Sequence, residues 1–184
     1  SDPDARRIVI AGGGTAGWIA AAMLARFAEG TLKITLVESD EIGTVGVGEA
    51  TIPQIVLLNS MLGFTEREFL TATKGSYKLG IEFVGWGKPG DSYMHSFGLV
   101  GRSIGLSPFS LLWRRLQAKG RAKPYGTYGF NEVAGRLSKM KLGAIGGPSI
   151  PNLVHAYHFD AGLYARLLRS YAEKQGVSRV EGRI

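Results

Sequence analysis

Apolar positions first gather in Ile8-Val9-Ile10, give way to Ala-Gly-Gly-Gly-Thr-Ala-Gly-Trp at 11–18, and resume in the alanine-rich stretch Ile19 to Phe27. This succession predicts a strand, a glycine turn and a helix over Thr15 to Glu29, stopped by Gly30. A second apolar run, Leu32 to Val37, ends in Glu38 and completes a βαβ unit with a short right-handed crossover. Glu41 to Pro53 carries Gly43, Gly46 and Gly48 without helical periodicity, which predicts a long connecting loop whose backbone can approach a ligand. Pro53 to Leu62 reads as a helix, with proline in its first turn and Gly63 just past its end. Thr65-Glu66-Arg67-Glu68 has the form of a capping box and opens a short helix to Thr73. From Tyr77 to Trp86 the residues Tyr77, Leu79, Ile81 and Phe83 alternate with Lys78, Gly80 and Glu82, predicting one strand with a single packed face. Tyr93 to Phe97 is set to pair with it across the turn Lys88-Pro89-Gly90-Asp91.

Further along, Ser110 to Lys119 is a helical run ended by Gly120, and Asn131 to Met140 is another, weakened by Gly135. Gly126, Gly129, Gly143, Gly146, Gly147, Pro148 and Pro151 mark a loop-rich stretch. Asp160 is placed to cap a helix over Ala161 to Lys174, with Leu163, Leu167, Leu168 and Tyr171 on its apolar face and Gly176 as its stop. Val177 to Ile184 then opens another strand, so the expectation is an α/β, Rossmann-type sheet with inserted antiparallel strands, incomplete as it stands.

The first turn carries the candidate chemistry. Gly12 allows the tight exit from the strand, Gly14 lets the backbone approach a pyrophosphate, and Gly17 lets the helix lie close to the sheet. The helix amino terminus then offers unpaired N–H groups and a positive dipole end to an anion. Glu38, twenty-one positions beyond Gly17, stands where an acid accepts hydrogen bonds from a ribose 2′-hydroxyl, which favours FAD or NAD over NADP.

At 184 residues, 45% hydrophobic and 20% charged, the chain has the composition of one globular domain. The net charge of +7 is scattered in short pairs such as Arg6-Arg7 and Arg114-Arg115, which argues against a nucleic-acid partner and fits anionic cofactors. No cysteine is present, which excludes disulfides and thiolate ligands. His95, His155 and His158 have no carboxylate at a ligand spacing, so no metal is expected. Without a signal peptide or an apolar run of about 18 residues, the expectation is a cytoplasmic protein with no membrane partner. Ser1-Asp2-Pro3-Asp4 reads as a disordered lead-in, and the oligomeric state is left open.

Gly-Gly-Gly-Thr-Ala-Gly-Trp at 12–18, Gly-Val-Gly-Glu-Ala-Thr-Ile-Pro at 46–53 and Tyr-Lys-Leu-Gly-Ile-Glu-Phe at 77–83 occur in an order that resembles the flavin-dependent halogenases, best known from the tryptophan halogenases. His158-Phe159-Asp160-Ala161, then a helix and Gly176-Val177-Ser178-Arg179-Val180, resemble the same family. The first motif is common to many flavoproteins; the second and third are the diagnostic ones. The resemblance implies a fold of the flavin monooxygenase kind. It also implies FADH2 supplied by a separate flavin reductase, and a chloride or bromide co-substrate oxidised with O2 to hypohalous acid. This oxidant would pass through a tunnel to a lysine beside an aromatic, indole-like or tryptophan-like substrate. Lys78 matches that lysine, and 46–53 matches the strap between flavin and substrate compartments. Gly12, Gly14, Thr15, Ala16, Gly17, Glu38 and Ala50 match cofactor-contact positions. Glu49 is either a cofactor or halide-region contact or a loop acid that bonds backbone N–H groups.

Family members run to about 500 residues, so the resemblance makes residues 1–184 an amino-terminal part of an FAD-binding, halogenase-like domain, inactive alone. The family's Trp-x-Trp-x-Ile-Pro signature does not occur in these residues. A flavin hydroxylase and a non-catalytic nucleotide-binding homologue are the alternatives.

A lysine amine can hydrogen-bond hypohalous acid or form a chloramine, and either aims an electrophilic halogen at one ring carbon. The neutral amine is favoured by burial among apolar neighbours such as Tyr77, Leu79 and Ile81. Trp18 is expected to pack, Trp86 and Trp113 to form core or cavity wall, and Asp160 to act as a cap. His95 and His155 are read as pocket-lining or structural.

Overall fold

The computed structural model describes residues 6–42, 48–143 and 152–184. In chain order its elements begin with strand β1 (Arg6–Ala11), helix α1 (Thr15–Phe27), strand β2 (Leu32–Glu38) and a 3-10 turn at Asp40–Ile42. There follow β3 (Gly48–Ala50), α2 (Gln54–Met61), α3 (Glu66–Thr73), β4 (Ser76–Lys78), β5 (Gly80–Val84) and β6 (Ser92–Ser96). Next come α4 (Phe109–Gln117), a 3-10 turn at Tyr125–Tyr128, α5 (Phe130–Arg136), β7 (Ala156–Asp160), α6 (Ala161–Lys174) and β8 (Ser178–Glu181).

The first sheet has the order β1-β2-β8. β1 and β2 run parallel from Arg6↔Leu32 to Ala11↔Val37, and β8 runs parallel to β2 from Thr35↔Ser178 to Glu38↔Glu181. This is the expected βαβ unit with the carboxy-terminal strand added beside its acid. The three short strands β3, β7 and β4 form a second sheet in that order, and β5 pairs with β6 as an antiparallel hairpin.

The chain divides into two compact units, one of Ser1–Ala50, Ile55–Ser76 and His158–Ile184, the other of Thr51–Gln54 and Tyr77–Tyr157. In the first, α1 packs against α6 and β2, with Trp18, Ala21, Ala22, Leu36 and Leu168 buried. Small alanines on α1 let the helices approach closely. Phe69, Phe159 and Tyr164 meet edge to face at centroid distances of 5.0–5.3 Å. In the second unit Leu79, Ala134 and Leu153 form a small core with Phe130 and Met140.

Several expectations change. The stretch 41–53 is not loop throughout: β3 pairs antiparallel with β7, Gly48↔Asp160 to Ala50↔His158. Gly43 and Gly46, like Ser1 to Asp4 and Gly146, Gly147, Pro148 and Pro151, lie outside the described residues. The single strand expected over Tyr77 to Trp86 is two strands, broken at Leu79, whose carbonyl accepts from Phe97 N at 2.9 Å. α1 ends two residues early because Glu29 and Gly30 both take positive φ, 46° and 80°. α5 stops at Arg136, and Ser138 has φ 51°. The buried face of α6 is Ala161, Tyr164, Ala165, Leu168 and Ala172, whereas Leu163, Leu167 and Tyr171 are only half-buried. Among the described residues no helix is long and apolar enough to cross a membrane.

Candidate functional site

The turn between β1 and α1 opens onto a cavity of about 580 Å³ in the first unit. Gly12, Gly14, Thr15, Ala16, Glu38 and Glu49, six of the residues singled out in the sequence, line it together. Gly17 does not line it, and Ala50 lines a separate cavity of about 340 Å³ with Glu49, Lys74 and His158.

Gly12, Gly13 and Gly17 are fixed as glycine by geometry, whereas Gly14 leaves space open. Gly12 has φ +106°, a conformation that side chains rarely adopt. A β-carbon on Gly17 would overlap the Gly12 carbonyl oxygen, so this glycine lets α1 start directly against the turn. Gly14, the N-cap of α1, has no side-chain cap and nothing within 4 Å of where its β-carbon would be. The start of α1 thus borders the cavity with no side-chain cap over it, which leaves room for a diphosphate at the helix amino terminus. Gly13 is also required as glycine, since a β-carbon there would overlap the Glu38 carboxylate.

Glu38 is more heavily engaged than a ribose acid needs to be. Its Oε2 accepts from Trp18 Nε1 at 3.2 Å, and its Oε1 accepts from Arg179 Nε at 2.6 Å and Arg169 Nη1 at 3.4 Å. Arg179 Nη2 also donates to Asp40 Oδ1 and Glu181 Oε2, both at 2.6 Å, and Glu181 Oε1 accepts from Asp40 N at 3.0 Å. These acids hold the Arg179 guanidinium above the ordinary arginine range, the Glu38 hydrogen bond first among them. An ionised carboxylate accepts about four hydrogen bonds, so Glu38 keeps one position for a hydroxyl. The turn and its acid thus fit the diphosphate and ribose of FAD. Sequence reasoning missed Arg179, Asp40 and Glu181. The signal was a strand rich in charges beside Glu38, but its register is not written in the sequence.

Lys78 belongs to the second unit. It ends β4 with 8% of its surface exposed, although the alternation of residues 77–83 puts it on the polar face. Its Nζ donates to the Thr51 carbonyl at 2.9 Å and lies 5.5 Å from the Phe97 ring centroid. Burial pulls its pKa below the ordinary lysine value. Thr51 is itself fixed: its N–H and its hydroxyl both donate to the Tyr157 carbonyl, at 3.0 and 2.9 Å, and its Oγ1 accepts from Tyr157 N at 3.2 Å. The break after Lys78 is held by Asn131, 2% exposed, whose Nδ2 donates to the carbonyls of Leu79 and Val154.

Trp18 is buried as expected, and Asp160 caps α6 by accepting from Leu163 N at 2.8 Å. Trp86 departs from expectation, being 76% exposed, with Phe83 edge-on at 5.0 Å. Trp113 is half-buried and donates to the Lys123 carbonyl at 2.9 Å. His155 is flanked by the rings of Tyr77 and Tyr157, at 5.4 and 5.5 Å, while His95 is exposed on β6.

The tryptophan halogenase family model matches residues 7–184. The chain is 36% identical to tryptophan 7-halogenase RebH of Lentzea aerocolonigenes over 97% of its own length and 36% of that protein's. Xcc4156, a flavin-dependent halogenase from Xanthomonas campestris, superposes with a TM-score of 0.89 at 47% identity, covering 98% of this chain and 36% of that one. BrvH, a flavin-dependent halogenase from Brevundimonas sp. BAL3, superposes with a TM-score of 0.84 at 39% identity over 100% and 36% of the two chains. The chain spans a little over a third of the length of the relatives it matches. Matched by the family model along nearly its whole length, the chain belongs to the tryptophan halogenase family and has that family's Rossmann-type FAD-binding fold.

Proposed function

We propose that the protein containing this chain halogenates an electron-rich aromatic, indole-like or tryptophan-like, and that residues 1–184 are the amino-terminal part of its FAD-binding domain. The observation that carries this reading is the buried Lys78, hydrogen-bonded to Thr51, in a chain whose first turn is shaped for a nucleotide diphosphate. Gly12, Gly14, Thr15 and Ala16 would hold the FAD diphosphate, with Gly17 letting the helix start against their turn, Glu38 would hold the ribose, and Glu49 would face the same cavity from β3 with Ala50 beside it as backbone. When bound, FAD reduced by a separate reductase supplies, with O2 and a halide, the hypohalous acid.

Lys78 does the aiming. One of its N–H groups is committed to the Thr51 carbonyl, which fixes the direction of the remaining two. As an ammonium it donates to the oxygen of hypohalous acid. As a neutral amine, favoured by its lowered pKa, it takes the halogen itself and releases water. In both forms the halogen is presented from one point, and such positioning is worth several orders of magnitude in rate.

The test is the full-length protein with a flavin reductase, FAD, NADH and chloride or bromide, products read by mass. Wild type yields halide-dependent halogenated arene. Lys78→Ala loses that product while flavin oxidation continues. Halogenation that survives the substitution removes Lys78 from the mechanism, and oxygen insertion independent of halide overturns the assignment in favour of a hydroxylase.

A further inference from the structure

The Glu38 carboxylate is held in place by Trp18, Arg169 and Arg179, and the shortest of its bonds comes from a residue 141 positions away. Arg179 reaches it because β8 lies beside β2, and its side chain is only 14% exposed. Its guanidinium joins Glu38 at the end of β2 to Asp40 in the following 3-10 turn, so one side chain ties together two residues of the cavity wall. Trp18 holds the other carboxylate oxygen from α1, and the missing β-carbon of Gly13 leaves the carboxylate room against the turn itself.

We propose that Arg179 is the positioning residue that makes Glu38 a reader of the adenosine 2′-hydroxyl, so that the cavity selects a nucleotide with an unmodified ribose. This rests on the reading of the first cavity as the FAD nucleotide site. A glutamate side chain has several rotamers, and a hydrogen bond to a ligand hydroxyl is strong only when the acceptor is already oriented. Arg179 and Trp18 supply that orientation from opposite oxygens. An arginine beside a ribose acid would ordinarily welcome a 2′-phosphate. Here its Nε and Nη2 are spent on Glu38, Asp40 and Glu181, and this acidic surround repels a further anion.

The experiment titrates the full-length protein with FAD, followed by flavin fluorescence, and then with ADP and 2′-deoxy-ADP as competitors. Wild type is expected to prefer ADP about tenfold, the value of one hydrogen bond to a charged acceptor. Arg179→Met brings the ratio to within about twofold by weakening ADP while 2′-deoxy-ADP is unchanged, because only the hydroxyl contact depends on the oriented carboxylate. Arg179→Lys, which keeps the charge but not the fork, gives an intermediate ratio and serves if the methionine variant fails to fold. A ratio that stays at the wild-type value in the folded variants, or a parallel loss for both nucleotides, overturns the proposal. A wild type that binds ADP without discrimination does so too. A wild type that binds neither FAD nor ADP instead removes the nucleotide-site reading on which the proposal stands.

Discussion

Gly17 sits so close beneath the carbonyl of Gly12 that no β-carbon fits between them. Gly14, three residues earlier, has nothing within 4 Å of where its β-carbon would be and an ordinary φ of −70°. The two therefore separate folding from ligand binding. Gly17→Ala should destabilise the protein by about 1–3 kcal/mol through overpacking. Gly14→Ala should cost less than about 1 kcal/mol of stability yet weaken FAD by tenfold or so, because its methyl group enters the diphosphate space. Urea denaturation and flavin titration of both variants check the contrast.

Lys78 makes a pH-dependent contribution whose sign follows from its burial. Its folded-state pKa is lowered from 10.5, so between that lowered value and 10.5 the unfolded chain binds the extra proton. Stability at this position therefore rises with pH across that window. Lys78→Met removes the dependence. The variant loses the Thr51 hydrogen bond at every pH but gains most relative to wild type near neutrality, and this relative gain should shrink toward pH 10. Denaturation midpoints of the two proteins along that range give the slope.

Asn131 is a clamp on the strand break that follows Lys78. Its amide donates to the carbonyls of Leu79 and Val154, and its Oδ1 accepts from Val154 N at 3.3 Å. Asn131→Ala leaves these buried main-chain groups short of partners and should cost about 3 kcal/mol. Asn131→Asp should be no better, since a carboxylate replaces the donor by a charge. Chemical denaturation ranks the two.

The capping box of α3 is complete: Glu68 N donates to Thr65 Oγ1 at 3.2 Å, and Thr65 N donates to Glu68 Oε2 at 2.9 Å. Thr65→Ala should cost about 1 kcal/mol at neutral pH. The Thr65 side chain, then its backbone N–H, hold the Glu68 carboxyl below its ordinary 4.5. The contribution of this contact is thus full above 4.5 and lost as pH falls through the lowered value. Thermal unfolding of wild type and variant should draw closer in acid without meeting, since the bond from Glu68 N to Thr65 Oγ1 does not titrate.

The elements with local signals are legible in the sequence alone. The glycine turn, the capping box at Thr65, the Asp160 cap and the hairpin from β5 to β6 are written within a few residues each. What escaped depends on distant pairing. β3 is three residues long and shows no periodicity of its own, and β4 merges in the sequence with the alternating run that starts at Tyr77. β7 buries Ala156, Tyr157 and Phe159, so it lacks the alternation of a one-faced strand. Lys78 occupies an alternation position that belongs to solvent in an unbroken strand, and the break at Leu79 changes its surroundings. In the candidate site, the turn and Glu38 were readable as a motif, whereas Arg179 acts through a strand register set by tertiary packing. Trp86 shows the opposite failure, since large apolar size alone does not bury a residue.

The placement of β8 beside β2 also sets an order of events during synthesis. Glu38 leaves the ribosome 141 residues before Arg179, a delay of roughly ten seconds at ordinary translation rates. Throughout that interval the nascent glycine turn exists without the guanidinium that orients its acid or the Gly182 stretch of cavity wall. On the proposed role of Arg179, reading of the ribose waits for β8, and a polypeptide released before Ser178 would carry the nucleotide fingerprint without the side chain that orients Glu38.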